Sequence, residues 1–306
     1  MRQFFSVLFA TFIILLYTIS STLLALAVII FGGLARLIPN KSGYQILIKI
    51  ALNIAVMWVS VSNGALRLRR HRWKIEGEGN LTTHCWYLLI SNHQTWLDIL
   101  VLGYVFNRKT PLIRFFMKKE LVWGLPILGL SCWILGYPFL HRYDRKDIRK
   151  RPKLKNKDIQ ITKTACKKFK EFPTTIMNFV EGTRFTTEKH RRQQSPFLHL
   201  LKPKVGSLAV VINELKNELS GILDVTIHYS QPMSFWKYFS GDYANITIHY
   251  KLLPLTADLI GNYYDDREFR CYLQKWLNSV WVGKDLLLDK LSYRYDEETQ
   301  TNNYCS

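Results

Sequence analysis

Asn92-His93-Gln94-Thr95-Trp96-Leu97-Asp98 places a histidine and an aspartate five positions apart. Histidine is the side chain whose ordinary pKa suits proton transfer near neutral pH. A carboxylate on one imidazole nitrogen fixes the tautomer and stabilises the imidazolium formed when the other nitrogen takes a proton. On one straight helix the two residues would be rotated apart by about 140°. With His93 in a turn and Asp98 in the first turn of a following helix, the carboxylate can fold back onto the ring. Alone, the pair is a weak signal. With eight histidines in the chain, an aspartate five positions after one of them is roughly a one-in-three event. A surface helix whose first-turn aspartate merely complements the helix dipole would carry the same residues.

Glu181-Gly182-Thr183-Arg184 supplies a second cluster. A glycine at a strand end lets a ligand approach the backbone, a hydroxyl and a guanidinium add donors, and arginine suits bidentate contact with phosphate. A tight turn with a surface salt bridge would have the same composition. A third fragment, Gly136-Tyr137-Pro138-Phe139-Leu140-His141-Arg142, ends a short apolar run on a basic residue. His141, isolated from other chemistry-bearing residues, suits a solvated or packing role.

The elements that must position these residues follow from periodicity. Trp86-Tyr87-Leu88-Leu89-Ile90 predicts a buried strand delivering His93 at its end, and Trp96–Phe106 a helix after it. Further strands are expected in Trp133–Leu140, Thr174–Val180, Ile222–Tyr229 and Ala244–Leu253. Helices are expected over Asp158–Phe172, stopped by Pro173, over Val205–Leu215 and over Asp265 to about Leu291. This alternation predicts an α/β fold. The polar tail from Asp296 is expected to be disordered.

Charge is unevenly spread. Forty-two Lys and Arg against 23 Asp and Glu give a net charge of +19, yet residues 3–35 carry no charged side chain. Such a balance calls for an anionic partner, nucleic acid or an anionic membrane surface. The apolar block Phe4–Leu34 exceeds the roughly 20 residues needed to cross a bilayer core. A second block, Ile46–Leu66, has Lys49 as its one charged residue. Ala25-Leu26-Ala27 resembles a small-residue cleavage site, but the apolar run continues past it, so the block is read as retained. Gly32-Gly33 and the stretch from Arg36 to Gly43 read as a turn. The result is a hairpin that either spans the bilayer or dips into one leaflet; the sequence leaves both open, leaning to the first. Arg67-Leu68-Arg69-Arg70-His71-Arg72 directly after it is expected on the cytoplasmic side. The basic run Arg145–Lys157 holds no aromatic residue, unlike single-strand nucleic-acid platforms, so nucleic acid is not expected as a partner. Five scattered cysteines without C-x-x-C spacing fit a reducing compartment and no metal site. The division expected is a membrane-anchoring hairpin over 1–66, a catalytic domain over 67–292 and a tail over 293–306.

Asn-His-x4-Asp, Gly-x-x-Phe-Leu-x-Arg and Val-Glu-Gly-Thr-Arg, in this order and at these separations, resemble the first three blocks of the glycerolipid acyltransferase family. This is the PlsC-like, 1-acylglycerol-3-phosphate acyltransferase superfamily, and the similarity covers roughly residues 85–230. The text around Trp86–Ile90, Trp96 and Phe185-Thr186 looks closer still to the YihG-type bacterial branch and its lysocardiolipin acyltransferase relatives. The resemblance implies a mixed central sheet flanked by helices, with His93 as general base and Asp98 as its orienting carboxylate. It implies that Arg142, Glu181, Gly182, Thr183 and Arg184 bind a lysophospholipid. It also implies acyl-CoA or acyl carrier protein as donor, no cofactor, and a place on the cytoplasmic face of a bacterial inner membrane. One departure stands out: the fourth block usually contains proline, and Ile222-Leu223-Asp224-Val225-Thr226-Ile227 has none. Two rivals can be set beside this one. Late acyltransferases of lipid A assembly share a His-x4-acid pair but are not expected to carry Glu-Gly-Thr-Arg; a membrane-anchored lipid-binding protein would need no chemistry at all.

Overall fold

The computed structural model describes residues 2–67, 73–140, 153–240 and 245–304. Helix α1, Arg2–Leu37, and helix α2, Lys41–Arg67, form the expected hairpin. The break is narrower than the sequence suggested. Gly32 and Gly33 stay helical, and the chain turns at residues 38–40, where Pro39 cannot continue the helix. Asn40 then caps α2, its Oδ1 accepting from Gly43 N at 2.6 Å. Gly32 is required for a different reason: a Cβ there would collide with the Ile134 side chain.

The hairpin does not stand away from the rest of the molecule. Near one end of α1, Ala10 and Ile13 are buried in a core that includes Leu66 and Phe239. Near the other end, the Arg36 guanidinium lies 4.0 Å from the centre of the Trp133 ring. Within the hairpin, Trp58 Nε1 donates to Ser21 Oγ at 2.8 Å. Side chains between these anchor points, such as Phe12 and Leu23, are mostly apolar and about 60% exposed (59% and 62%).

The remaining elements, in order, are β1 Trp73–Glu78, β2 Trp86–Ser91, α3 Leu97–Phe106, β3 Ile113–Phe115, β4 Met117–Lys118, α4 Leu121–Gly124, α5 Pro126–Ile134 and β5 Phe139–Leu140. After the undescribed residues come α6 Lys153–Phe169, β6 Thr175–Asn178, α7 Thr187–Gln193, α8 Gly206–Glu214, β7 Leu219–Tyr229, α9 Phe235–Ser240, β8 Ile246–Leu253 and α10 Arg267–Tyr304. A mixed six-stranded sheet runs in the order β1-β8-β7-β2-β6-β3. Strands β7, β2, β6 and β3 are mutually parallel, and β8 runs antiparallel to β7.

Strand β2 lies within the parallel group, and Leu88, Leu89 and Ile90 are fully buried, as a continuous apolar run requires when helices cover both faces. Its side chains alternate between two cores. Leu88 and Ile90 share a core with Phe169 of α6, Leu208 of α8 and Trp281 of α10, whereas Leu89 belongs to the core that holds Val101 of α3 and the α1 residues named above. The C-terminal ends of β7, β2 and β6 therefore emerge side by side, which is where α/β sheets place ligands.

One further expectation is met over part of its span, and another fails. Trp133 and Ile134 are the last residues of α5, started by Pro126 at its first turn. Within Trp133–Leu140 only Phe139–Leu140 is strand, because Gly136 takes φ +82° and turns the chain. The tail from Asp296 is not irregular but continues α10 to Tyr304. Extending an existing helix adds one bond per residue fixed, so the costly nucleus is already in place.

Candidate active site

His93 sits just past the end of β2, and Asp98 is the second residue of α3. The intervening turn solves the rotation problem. Asp98 Oδ2 lies 2.8 Å from His93 Nδ1 and accepts from the backbone amides of Gln94 at 2.7 Å and Thr95 at 2.9 Å. Its other oxygen, Oδ1, accepts from the Tyr229 hydroxyl at 2.7 Å. Asp98 is fully buried, so these charge-assisted bonds replace water, aided by the helix N-terminus. With an aspartate as acceptor, the Nδ1 proton is assigned to the shared bond, which leaves Nε2 as the nitrogen able to take one. The His93 side chain is 13% exposed.

Neighbouring strands brace the turn. Asn92 Nδ2 donates to Ile227 O and Asn92 Oδ1 accepts from Ile227 N, both at 2.9 Å, so its amide pairs with β7 as a backbone would. Gln94 Nε2 adds a third bond to Ile227 O at 3.0 Å. From the β6 side, the Phe179 ring stacks on the imidazole with centroids 3.7 Å apart and planes 15° apart. Phe185 N donates to His93 O at 2.7 Å.

Glu181 belongs to this bracing. It is fully buried; Oε1 accepts from His93 N and Oε2 from Leu201 N, both at 3.0 Å. Burial pushes its carboxyl up to about 8, against the pull of those two donors. The expected contact with a lysolipid is therefore not what its geometry offers: both oxygens are engaged beneath the surface. Gly182 follows with φ +73°, a left-handed turn that a side chain would strain. Thr183 Oγ1 accepts from Lys189 Nζ at 2.9 Å. Arg184 turns outward, exposed, its guanidinium 5.1 Å from the centre of the Trp96 ring. His93, Asp98, Glu181 and the turn to Arg184 are thus brought together; Arg142 lies outside the described residues.

Two cavities begin among the neighbours of the pair. One, of about 580 Å³, is largely apolar and lined by Ile99, Leu102, Phe115 and Met177 together with Val56 and Val59 of α2. The other, of about 420 Å³, is more polar and includes Gln94, Thr186, His228 and Ser292.

Sequence reasoning missed Tyr229, Phe179 and Lys284. The last is buried on α10, where its Nζ pairs with Asp224 Oδ1 at 2.7 Å and donates to Val225 O and, at 3.0 Å, to Thr226 Oγ1. Desolvation lowers its pKa, and Asp224 opposes that. Lys284 thereby secures the stretch of β7 whose expected proline is missing. A readable signal existed: Lys284 falls between Trp281 and Leu288 on the apolar stripe of α10, where an unpaired lysine would be costly.

Fold and pair together describe an α/β protein whose histidine is held by a buried carboxylate at Nδ1, with Nε2 left to accept a proton. Among the described residues no serine or cysteine bonds to that ring. The family model described as Acyltransferase matches residues 72–230. The chain belongs to that family.

Over 225 residues it is 29% identical to the 1-acyl-sn-glycerol-3-phosphate acyltransferase 3 of Arabidopsis thaliana, covering 66% of this chain and 53% of that protein. Over 216 residues it is 24% identical to the human 1-acyl-sn-glycerol-3-phosphate acyltransferase delta, covering 65% and 51%. The chain spans about half the length of these curated relatives. Both are eukaryotic, and neither bears on the bacterial branch or the inner-membrane placement. The crystal structure of the 1-acyl-sn-glycerophosphate acyltransferase PlsC from Thermotoga maritima superposes with a TM-score of 0.57 at 16% identity, covering 95% of this chain and 98% of that one. That likeness extends the shared fold across the hairpin as well as the sheet.

Proposed function

We propose that the chain transfers a fatty acyl group from a thioester, acyl-CoA or acyl carrier protein, to the free hydroxyl of a lysophospholipid. The acceptor placed first is 1-acylglycerol-3-phosphate, giving phosphatidate; lysophosphatidylglycerol and lysocardiolipin come next. The observation that carries this reading is the 2.8 Å contact between His93 Nδ1 and the buried Asp98 carboxylate. An alcohol is a poor nucleophile at neutral pH, so Nε2 removes its proton as the oxygen attacks the thioester carbonyl. Asp98 stabilises the imidazolium. The tetrahedral intermediate collapses with cleavage of the C–S bond, and the thiolate takes the proton from Nε2. An ester and a free thiol result, and the histidine is neutral again. Arg184, exposed beside Trp96, is the described cation suited to the acceptor phosphate, with Arg142 its expected companion. The apolar cavity fits an acyl chain.

The hairpin is read as the membrane anchor. Contacts to the domain near Ala10 and at Arg36 are about 39 Å apart along the helix axis, further than the roughly 30 Å bilayer core. A hairpin held at both points favours one lying within a leaflet over one crossing it. The cytoplasmic face of a bacterial inner membrane and contact with anionic lipid remain part of this proposal.

The test is acyl transfer by the detergent-solubilised full chain, with a panel of lysolipids and both donor types, against His93→Ala. Transfer lost in the variant with lysolipid binding retained supports the reading. Transfer unchanged in His93→Ala would overturn it, and lipid binding without transfer to any acceptor would leave a binding protein instead.

A further inference from the structure

No charged residue occurs from Leu121 to Leu140, yet much of the stretch is not core. Residues 121–134 fold into the four-residue α4, a turn and the nine-residue α5, each too short to cross a bilayer. Trp123 is 80% exposed, and Leu125, Ile127, Leu130 and Trp133 are between 39% and 53% exposed. The opposite face of α5 is occupied: Cys132 packs with Val28 of α1 and with Ala51 and Ala55 of α2. Leu128 and Cys132 also help to line the apolar cavity. One side of this segment is therefore wall, and the other is an uncovered apolar surface.

What covers that surface is indicated by what adjoins it. Leu26, Ile30, Leu34 and Leu37 of α1 form an exposed stripe at helical spacing, beside the contact of Gly32 with Ile134 and of Arg36 with Trp133. The two apolar surfaces are continuous. Exposed Lys118 and Lys119 precede the patch, and Arg36 stands at its junction with α1. Cations bordering an apolar surface with exposed tryptophans make a surface suited to the boundary between lipid headgroups and acyl chains. Exposed apolar area on this scale marks an interaction site; its continuity with the hairpin selects lipid over a soluble partner.

We infer that α4 and α5 insert into the same leaflet as the hairpin, so that Trp123 lies among acyl chains and α5 stands between the lipid and the apolar cavity. The catalytic domain then sits partly sunk in the membrane, with one cavity wall bathed in lipid. This inference rests on the membrane reading of the hairpin, and the experiment separates the two.

Nitroxide labels are placed by Leu23→Cys, Trp123→Cys or Lys275→Cys, each in a full chain with Cys85, Cys271 and Cys305 changed to serine. Each protein is reconstituted in vesicles of phosphatidylcholine and phosphatidylglycerol. Accessibility to oxygen, which partitions into lipid, is compared with accessibility to a water-soluble nickel chelate. Labels at 23 and 123 are expected to favour oxygen, and the label at 275 the chelate. A label at 123 that favours the chelate while 23 favours oxygen overturns the inference and leaves the hairpin reading standing. Chelate access at both overturns both. Shielding of 123 from both reagents points to a protein contact and also overturns it. As a second readout, Trp123→Glu is expected to lower transfer to a vesicle-embedded lysolipid by roughly three- to tenfold, because a charge resists entry into the interface. Transfer to a monomeric short-chain acceptor should be unchanged; equal losses on both acceptors would oppose the inference.

Discussion

Glu181 and Arg184 lie three residues apart, and the fold treats them in opposite ways. Glu181 is fully buried, with each oxygen taken by a backbone amide, one of them that of His93. Arg184 is exposed, resting beside the half-exposed Trp96 ring. Between them Gly182, at φ +73°, turns the chain from the interior to the surface. A carboxylate with both oxygens engaged has nothing to offer a substrate; its effect is on where the histidine stands. An exposed guanidinium can exchange water for phosphate at small cost. On the proposed function the same four residues divide into a half that braces the histidine and a half free to meet the ligand, and the two should separate in kinetics.

The largest effect is expected at the centre of the buried half. Asp98→Asn keeps an acceptor for the amides of Gln94 and Thr95 but removes the charge that stabilises the imidazolium. A fall in kcat of roughly 10²- to 10⁴-fold is expected, with KM for the lysolipid little changed. Steady-state rates with one acceptor series decide this, and an unchanged kcat would remove the pair from the mechanism. Next comes Arg184→Ala, the break in the other half. Loss of a charge-assisted contact worth about 1.5–3 kcal/mol raises KM roughly 10- to 100-fold for a phosphate-bearing acceptor, with kcat nearly kept. Should kcat fall with KM unmoved, the division drawn above would be wrong. A smaller effect is expected from Tyr229→Phe, which removes one bond from Asp98 while leaving the ring packed. The expected loss is about three- to tenfold in kcat, corresponding to about 1 kcal/mol for one hydrogen bond, again without a change in KM. A matching rise in KM would place Tyr229 in substrate binding instead.

How much of this could be read in advance depended on the range of the interaction. The run Trp86–Ile90 declares a buried strand because every residue is apolar, and the hairpin declares itself by length and lack of charge. His93 and Asp98 were legible as a motif, and the turn that joins them is local. Helix α5 has no such local signature, because Trp133, Ile134 and Leu135 suit a strand as well as a helix. Other parts of the site are long-range pairings between strands. Tyr229 reaches Asp98 from β7, Glu181 reaches His93 from the turn after β6, and Lys284 reaches Asp224 from α10. No local spacing encodes those meetings. The fourth block, which lacks its usual proline, is also where Lys284 of α10 meets β7.

The smallest effect expected, and the one that sharpens the buried half most, concerns pH. In the folded chain burial pushes the Glu181 carboxyl up to about 8, from 4.5 in the ordinary case. Between those values the folded chain holds a proton that the unfolded chain has released. Stability then falls as pH rises through this window, and the loss is complete above about pH 8, where both states are ionised. Glu181→Gln cannot titrate, so its thermal midpoint should fall less than the wild type's between pH 5 and pH 8, whatever static cost its amide carries for facing a backbone N–H. The comparison of slopes, rather than of midpoints at one pH, isolates the carboxyl. Two amide donors favour the ionised form, and if they outweigh desolvation the two slopes will coincide. Coincident slopes would make Glu181 a permanent carboxylate bracing His93, and the buried half of the tetrapeptide would then carry charge throughout the working pH range. Diverging slopes would make it a neutral brace at the same position, holding the histidine by shape and hydrogen bonding while Asp98 alone supplies the negative charge.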